Sequence, residues 1–173
     1  MVSLSITDLF VPLHFLTYST LLGTQLFQTF VVVKISYQAL PRSAFTTLQK
    51  RMFPVYFRTQ SLLLVLAAAT FPPYGPASLV KEKGNWIAFL VAGLTAGLNL
   101  ILYGPRTRSV MIERIHQETR DSRHQKSTSG AMAKLNRLFA RNHAMSIHLN
   151  LLTIGATLWY GWRMASALSA VSR

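Results

Sequence analysis

Apolar residues gather into four long runs, separated by polar stretches that carry most of the charge. The runs cover residues 9–33, 55–71, 86–103 and 144–162. At about 1.5 Å per helical residue the first exceeds a hydrocarbon core of ~30 Å and spans with tilt. The second and third stand near the lower length limit for a span. The core helix of a soluble protein would present a charged outer face. Residues 86–103 contain no charge, and residues 55–71 contain only Arg58, placed to snorkel from the first turn. Trp86, Tyr103, Trp159, Tyr160 and Trp162 fall where interfacial aromatic belts form. Pro54 and Pro72-Pro73 read as stops around the second run, and Gly104-Pro105 as the end of the third.

The loops give the orientation. Residues 34–54 carry Lys34, Arg42, Lys50 and Arg51 with no acid. Residues 104–143 carry Arg106, Arg108, Arg114, Arg120, Arg123, Lys126, Lys134, Arg137 and Arg141 against Glu113, Glu118 and Asp121. The other side holds Lys81, Lys83, Arg163 and Arg173. The positive-inside rule places both basic loops in the cytoplasm and both termini opposite. The stretch before residue 9 has no positive n-region, so a cleaved signal peptide is not expected. Pro41 suits a helix start, with Phe45, Leu48 and Met52 at helical spacing. Val110 to Ile115 and Leu135 to Phe139 suggest amphipathic helices in the long loop, joined by a polar link over 121–130. Such helices either lie at headgroup level or extend the spans into the cytoplasm.

Composition then narrows the chemistry. Charged residues make up 13% of the chain, the net charge is +13, and mean hydropathy is still +0.29. A nucleic-acid binder with this imbalance would be charged throughout and rich in aromatics beside its cations. Here Phe139 is alone among aromatics in the long loop. Anionic lipid headgroups are the economical partner, each surface cation contributing on the order of 1 kcal/mol. Absence of cysteine removes thiolate metal sites and thiol nucleophiles. Glu113 and His116 form a single E-x-x-H pair, which is not repeated as a di-iron site would need. His116 and His124 read as solvated loop residues. Ser146 and His148 stand two apart and face different ways on a helix. No metal, cofactor or enzymatic activity is expected.

One polar pattern survives inside the runs. His14, Tyr18, Leu21, Gln25 and Gln28 share a helical face, with Thr17 and Thr24 beside it. His143, Ser146, Asn150, Thr153 and Thr157 form a matching face on the fourth run. The third run offers Asn99, with Gly93 and Gly97 at GxxxG spacing beside Ala92 and Ala96. Such faces should turn away from lipid. They form either a solute path between the first and fourth helices or interhelical hydrogen bonds worth about 0.6 kcal/mol each.

The chain also resembles the transmembrane-protein-205-like family. The resemblance rests on Gly23-Thr24-Gln25 with Thr29-Phe30, and on Leu40-Pro41-Arg42, Phe45, Gln49 and Phe53-Pro54-Val55-Tyr56-Phe57. It continues in Pro105-Arg106-Thr107 with Met111, and in Phe139, His143, Ser146 and Asn150-Leu151. It implies a four-span eukaryotic membrane protein, in the endomembrane system (ER and secretory pathway) ahead of mitochondria or another organelle. It brings no activity. Gln25, Arg42, Arg106, His143 and Asn150 are its candidates for a shared role.

The expectation is therefore an all-α, polytopic four-helix transmembrane bundle in one domain, with short amphipathic cytoplasmic helices. Its intramembrane polar face comprises His14, Tyr18, Gln25, Gln28, Asn99, His143, Ser146 and Asn150. Arg42, Lys50, Arg51, Arg106 and Arg108 are the candidate lipid-phosphate contacts. The expected function is non-enzymatic contact with partners or lipids, and the alternative is a small-solute or ion transporter.

Overall fold

The computed structural model describes residues 6–123 and 129–171. His124 and Lys126, in the centre of the expected polar link, and Arg173 lie outside the described residues. Every element described is helical. The order is α1 (Ile6–Leu26), a π-helical segment (Phe27–Val32), α2 (Val33–Ala39), α3 (Arg42–Ala69), α4 (Pro76–Lys81), α5 (Lys83–Leu98), a second π-helical segment (Asn99–Tyr103), α6 (Gly104–Arg123) and α7 (Gly130–Val171).

The first turn of the chain follows from Pro41. A residue before proline is pushed out of the helical region. Leu40 accordingly takes φ −109° and ψ 143°, and α3 starts at Arg42 with Pro41 as its cap. Tyr37 meets Phe45 edge-on across this corner, at 5.4 Å between centroids. The helix expected after Pro41 is thus the opening of α3, which runs straight on through Pro54. Pro54 does not act as a stop. It deprives the Lys50 carbonyl of its helical donor, and packing keeps the helix intact across it. Phe53 stacks on Phe57 at 5.8 Å, and Tyr56 and Phe57 are buried.

Nor does Gly104-Pro105 end the third run, because α5, the second π segment and α6 form one continuous rod. The Gly104 N–H reaches back five residues to the Asn99 carbonyl. This wider turn suits Pro105, which lacks an N–H and crowds the carbonyl four residues before it. A Cβ on Gly104 would lie 3.1 Å from the Phe57 ring, so glycine here lets α3 and α6 close together. Between α3 and α5 the chain reverses through Gly75, whose φ of 66° suits glycine.

The amphipathic helices expected in the long loop are extensions of the rods. Val110 to Ile115 belong to α6, and Leu135 to Phe139 belong to the 42-residue α7. Ser129 caps the entry to α7. Its hydroxyl accepts the Met132 N–H at 3.2 Å and donates to Asp121 at 2.8 Å.

Helix α7 packs along α5 and α6, while α3 packs against α1, α5 and α6. The small-residue face of α5 that is buried is Ala88, Ala92 and Ala96. Gly93 and Gly97 are not in that interface, since a Cβ on either would meet nothing within 4 Å. The alanines, four apart, present the close-approach surface instead.

The molecule is apolar outside and polar within. Leu16, Val65, Ile101 and Trp162 are exposed, Ile101 to 78%. Gln25, Gln60, Asn99 and Thr153 are completely buried. Water would favour the reverse, and lipid favours this arrangement. Tyr160 departs from the expected aromatic belt, since it is buried against Tyr18, Phe71, Leu79 and Ala88. Two continuous helices, Arg42–Ala69 and Lys83–Arg123, are long and apolar enough to cross a membrane.

Candidate functional site

The expected polar residues divide between two ends of the molecule. At the end holding α4, His14 Nδ1 lies 2.9 Å from the Ala67 carbonyl. A carbonyl only accepts, so Nδ1 carries the proton, and in the neutral ring Nε2 accepts the Tyr160 hydroxyl. Tyr18 donates to the Thr157 carbonyl at 3.3 Å and packs edge-on to Tyr160. Arg163 Nε donates to Asn85 Oδ1 at 2.7 Å, and the Asn85 amide donates to Glu82. These polar atoms are bonded, and they tie α1, α3, α5 and α7 together.

The middle of the molecule is bonded in part. Thr95 and Thr153 share a 2.7 Å hydrogen bond between α5 and α7. Asn99 Nδ2 donates to the Ser146 carbonyl at 2.9 Å, while Asn99 Oδ1 has no partner. Asn150 is the hub. Its Oδ1 accepts from the Tyr56 hydroxyl at 2.8 Å and from Gln60 Nε2 at 3.2 Å, and its Nδ2 donates to Thr29 at 3.0 Å. Helix α3 therefore enters the polar face expected between the first and fourth rods. Gln25 is buried with neither amide atom bonded, and Gln28 is buried with its Nε2 free.

Beyond Asn150, toward the basic loops, the helices part around a cavity of about 330 Å³. Thr29 and Val33 supply one wall, and Gln49, Lys50, Phe53, Pro54, Phe57 and Arg58 a second. Leu100, Gly104, Pro105, Thr107, Arg108 and Met111 form a third. His143, Ser146, Ile147, Asn150 and Leu151 complete it. Among the described residues, none that lines the wall carries a carboxylate. Gln49 is only 2% exposed, and neither atom of its amide has a hydrogen-bond partner; Thr107 Oγ1 lacks one too. An unmade hydrogen bond at a buried polar atom costs about 1–3 kcal/mol. Thr29 and Leu100 bring the two π segments to this wall, and π-helical turns recur at functional sites.

His143, at the loop end of α7, stacks on Phe139 at 5.2 Å, and Phe139 lies under the Arg114 guanidinium at 4.6 Å.

The expected lipid-phosphate contacts also separate. Lys50 and Arg108 line the cavity. Arg106 lines a second cavity of about 410 Å³ between α6 and α7, with Arg141. Arg42 and Arg51 are exposed outside both. The sequence reading missed Gln49, Arg58 and Thr107 as site residues. Gln49, Phe53 and Phe57 stand at i, i+4 and i+8, which puts them on one face of α3. That spacing was the available signal for Gln49. Moreover, residues from all four pieces of the family resemblance meet on this wall, from Thr29 to Leu151.

The chain is similar to known proteins over much of its length. A family described as a domain of unknown function, DUF4149, matches residues 16–116. Xanthocillin biosynthesis cluster protein D of Aspergillus fumigatus is 41% identical over 157 residues, covering 91% of this chain and 90% of the relative. Transmembrane protein 205 of Danio rerio is 29% identical over 108 residues, covering 61% of this chain and 57% of that protein. No solved structure matches.

Proposed function

The chain belongs to the DUF4149 family of membrane-type proteins, and from that premise we propose a non-enzymatic, four-span protein whose basic end receives one anionic amphiphile from the adjoining leaflet. The observation that carries this reading is the cavity wall. It combines aromatic and aliphatic side chains with Lys50, Arg58 and Arg108, and it has no carboxylate to neutralise them. An apolar pocket with a few polar groups is the usual form of a small-ligand site. The exposed apolar flanks of the first and last rods, with Leu16 and Trp162 among them, favour four crossings. The positive-inside rule puts the cavity mouth at the cytoplasmic face, and an endomembrane location follows the family resemblance.

Lipid retained by the full chain after purification in mild detergent tests the reading, with intact-complex mass spectrometry as the readout. The parent is expected to carry an anionic lipid. The Lys50→Gln/Arg58→Gln/Arg108→Gln variant is expected to lose it. Equal lipid content in both contradicts the proposal.

A second reading, passage of a small solute, is favoured by the unbonded amide atoms of Gln25, Gln28, Gln60 and Asn99 deep in the rods. The name of the Aspergillus relative, attached to a biosynthesis cluster, is compatible with handling a small product. Solute flux in proteoliposomes should then fall in Gln25→Leu and Asn150→Leu. Unchanged flux removes this reading.

A further inference from the structure

We infer that the cavity selects a hydroxylated phosphate headgroup of a membrane lipid, its phosphate held by Lys50, Arg58 and Arg108 and a headgroup hydroxyl seated on the Gln49 amide. The inference rests on the amphiphile reading above and names the ligand class. Three cations face one cavity with no acid in its wall. Two of them are guanidinium forks, whose paired N–H groups match phosphate oxygens. Charge alone would accept any anionic amphiphile, including a fatty acid or a bare phosphate monoester.

Gln49 narrows the choice. Its side chain lines the cavity, is 2% exposed, and leaves both Nε2 and Oε1 unbonded. Such an amide needs a partner that accepts and donates. Ionised carboxylate accepts only, and a hydroxyl does both. Two further features beside Gln49 ask for the same chemistry. Pro54 leaves the Lys50 carbonyl without its helical donor, so a second acceptor stands nearby. Thr107 Oγ1 is also unbonded and lines the cavity. The volume, about 330 Å³, suits a headgroup rather than a whole two-chain lipid. The acyl chains would lie along exposed apolar flanks such as Leu62 and Val65 of α3.

The test uses the full-length chain in detergent, offered lipid from vesicles of phosphatidylcholine alone or mixed with phosphatidic acid or phosphatidylglycerol. Bound lipid is counted by mass spectrometry. Phosphatidylglycerol should be retained about tenfold over phosphatidylcholine and severalfold over phosphatidic acid, the range expected from adding a charge-assisted contact and a neutral hydrogen bond. Gln49→Leu should erase the preference for phosphatidylglycerol over phosphatidic acid while keeping the preference for anions. Thr107→Val should weaken it in the same direction. Arg58→Gln/Arg108→Gln should erase the preference for anions, and Arg123→Gln, on an exposed turn outside the cavity, should change nothing. Thermal unfolding of each variant separates loss of binding from loss of fold.

Equal retention of phosphatidylglycerol and phosphatidic acid by the parent overturns the hydroxyl inference and leaves the amphiphile reading standing. Failure to retain either anionic lipid overturns both. Binding of soluble glycerol 3-phosphate, with no lipid retained, overturns the lipid source and keeps the phosphate site.

Discussion

The two ends of this molecule use similar side chains to opposite effect. At the α4 end, His14, Tyr18, Tyr160, Asn85 and Arg163 bury polar groups and give each a partner. At the basic end, Gln49 and Thr107 are shielded from solvent without one, around a cavity. A polar group with a buried partner holds helices in register. A polar group held buried and unpaired lowers stability and is the form a binding site takes before it is filled. On the proposed reading packing falls to one end and recognition to the other, a division absent from the expected polar face, which holds His14 and Tyr18 but neither Gln49 nor Thr107.

The strongest challenge to the closed end is Gly161→Val. A Cβ there would occupy the position of the Tyr18 hydroxyl. The side chain has no free volume to take, so destabilisation of about 3 kcal/mol is expected from overpacking. It should appear as a sharp drop in the detergent melting temperature. Little change would show that the Tyr18–Tyr160 cluster yields easily.

Asn150→Leu tests the hub between the ends. It removes three interhelical hydrogen bonds, to Tyr56, Gln60 and Thr29. At about 0.6 kcal/mol each, the loss is about 2 kcal/mol by denaturant unfolding. Thr95→Val removes the single bond to Thr153 and should cost about 0.6 kcal/mol. If Thr95→Val costs as much as Asn150→Leu, the middle of the molecule is not organised around Asn150.

Much of the architecture was legible because helical periodicity and charge segregation are strong local signals. Pro41 marked a true helix start, and the four apolar runs fall on helical rods, the second overrunning the end of α3 at Ala69 by two residues. Pro54 and Gly104-Pro105 misled because proline's cost is offset at the first by the i, i+4 stacking of Phe53 on Phe57 and at the second by the nonlocal closure of Phe57 on Gly104. Gly93 and Gly97 misled because a spacing rule does not say which face of a helix meets its neighbour. Asn150 was visible in the stripe, but its partners Tyr56 and Gln60 lie on α3, and no pattern within one helix reports the identity of the helix opposite. Gln49 is visible in sequence as part of a family motif and by its helical spacing from Phe53 and Phe57. That it is buried and unbonded depends on where α6 and α7 diverge from α3, which is a property of the assembled rods.

Thermal unfolding with and without phosphatidylglycerol, on the parent, Tyr160→Phe and Gln49→Leu, tests the division of roles most directly. Tyr160→Phe removes the hydroxyl bonded to His14. It should lower the melting temperature under both conditions and leave the lipid-induced rise intact. Gln49→Leu should leave the lipid-free melting temperature equal or higher, since it removes an unpaired buried amide, and it should cut the phosphatidylglycerol-induced rise to the size of the one that phosphatidic acid gives. If Gln49→Leu destabilises the lipid-free protein and keeps the full rise, Gln49 is a packing residue, and the recognition role given to its amide is wrong.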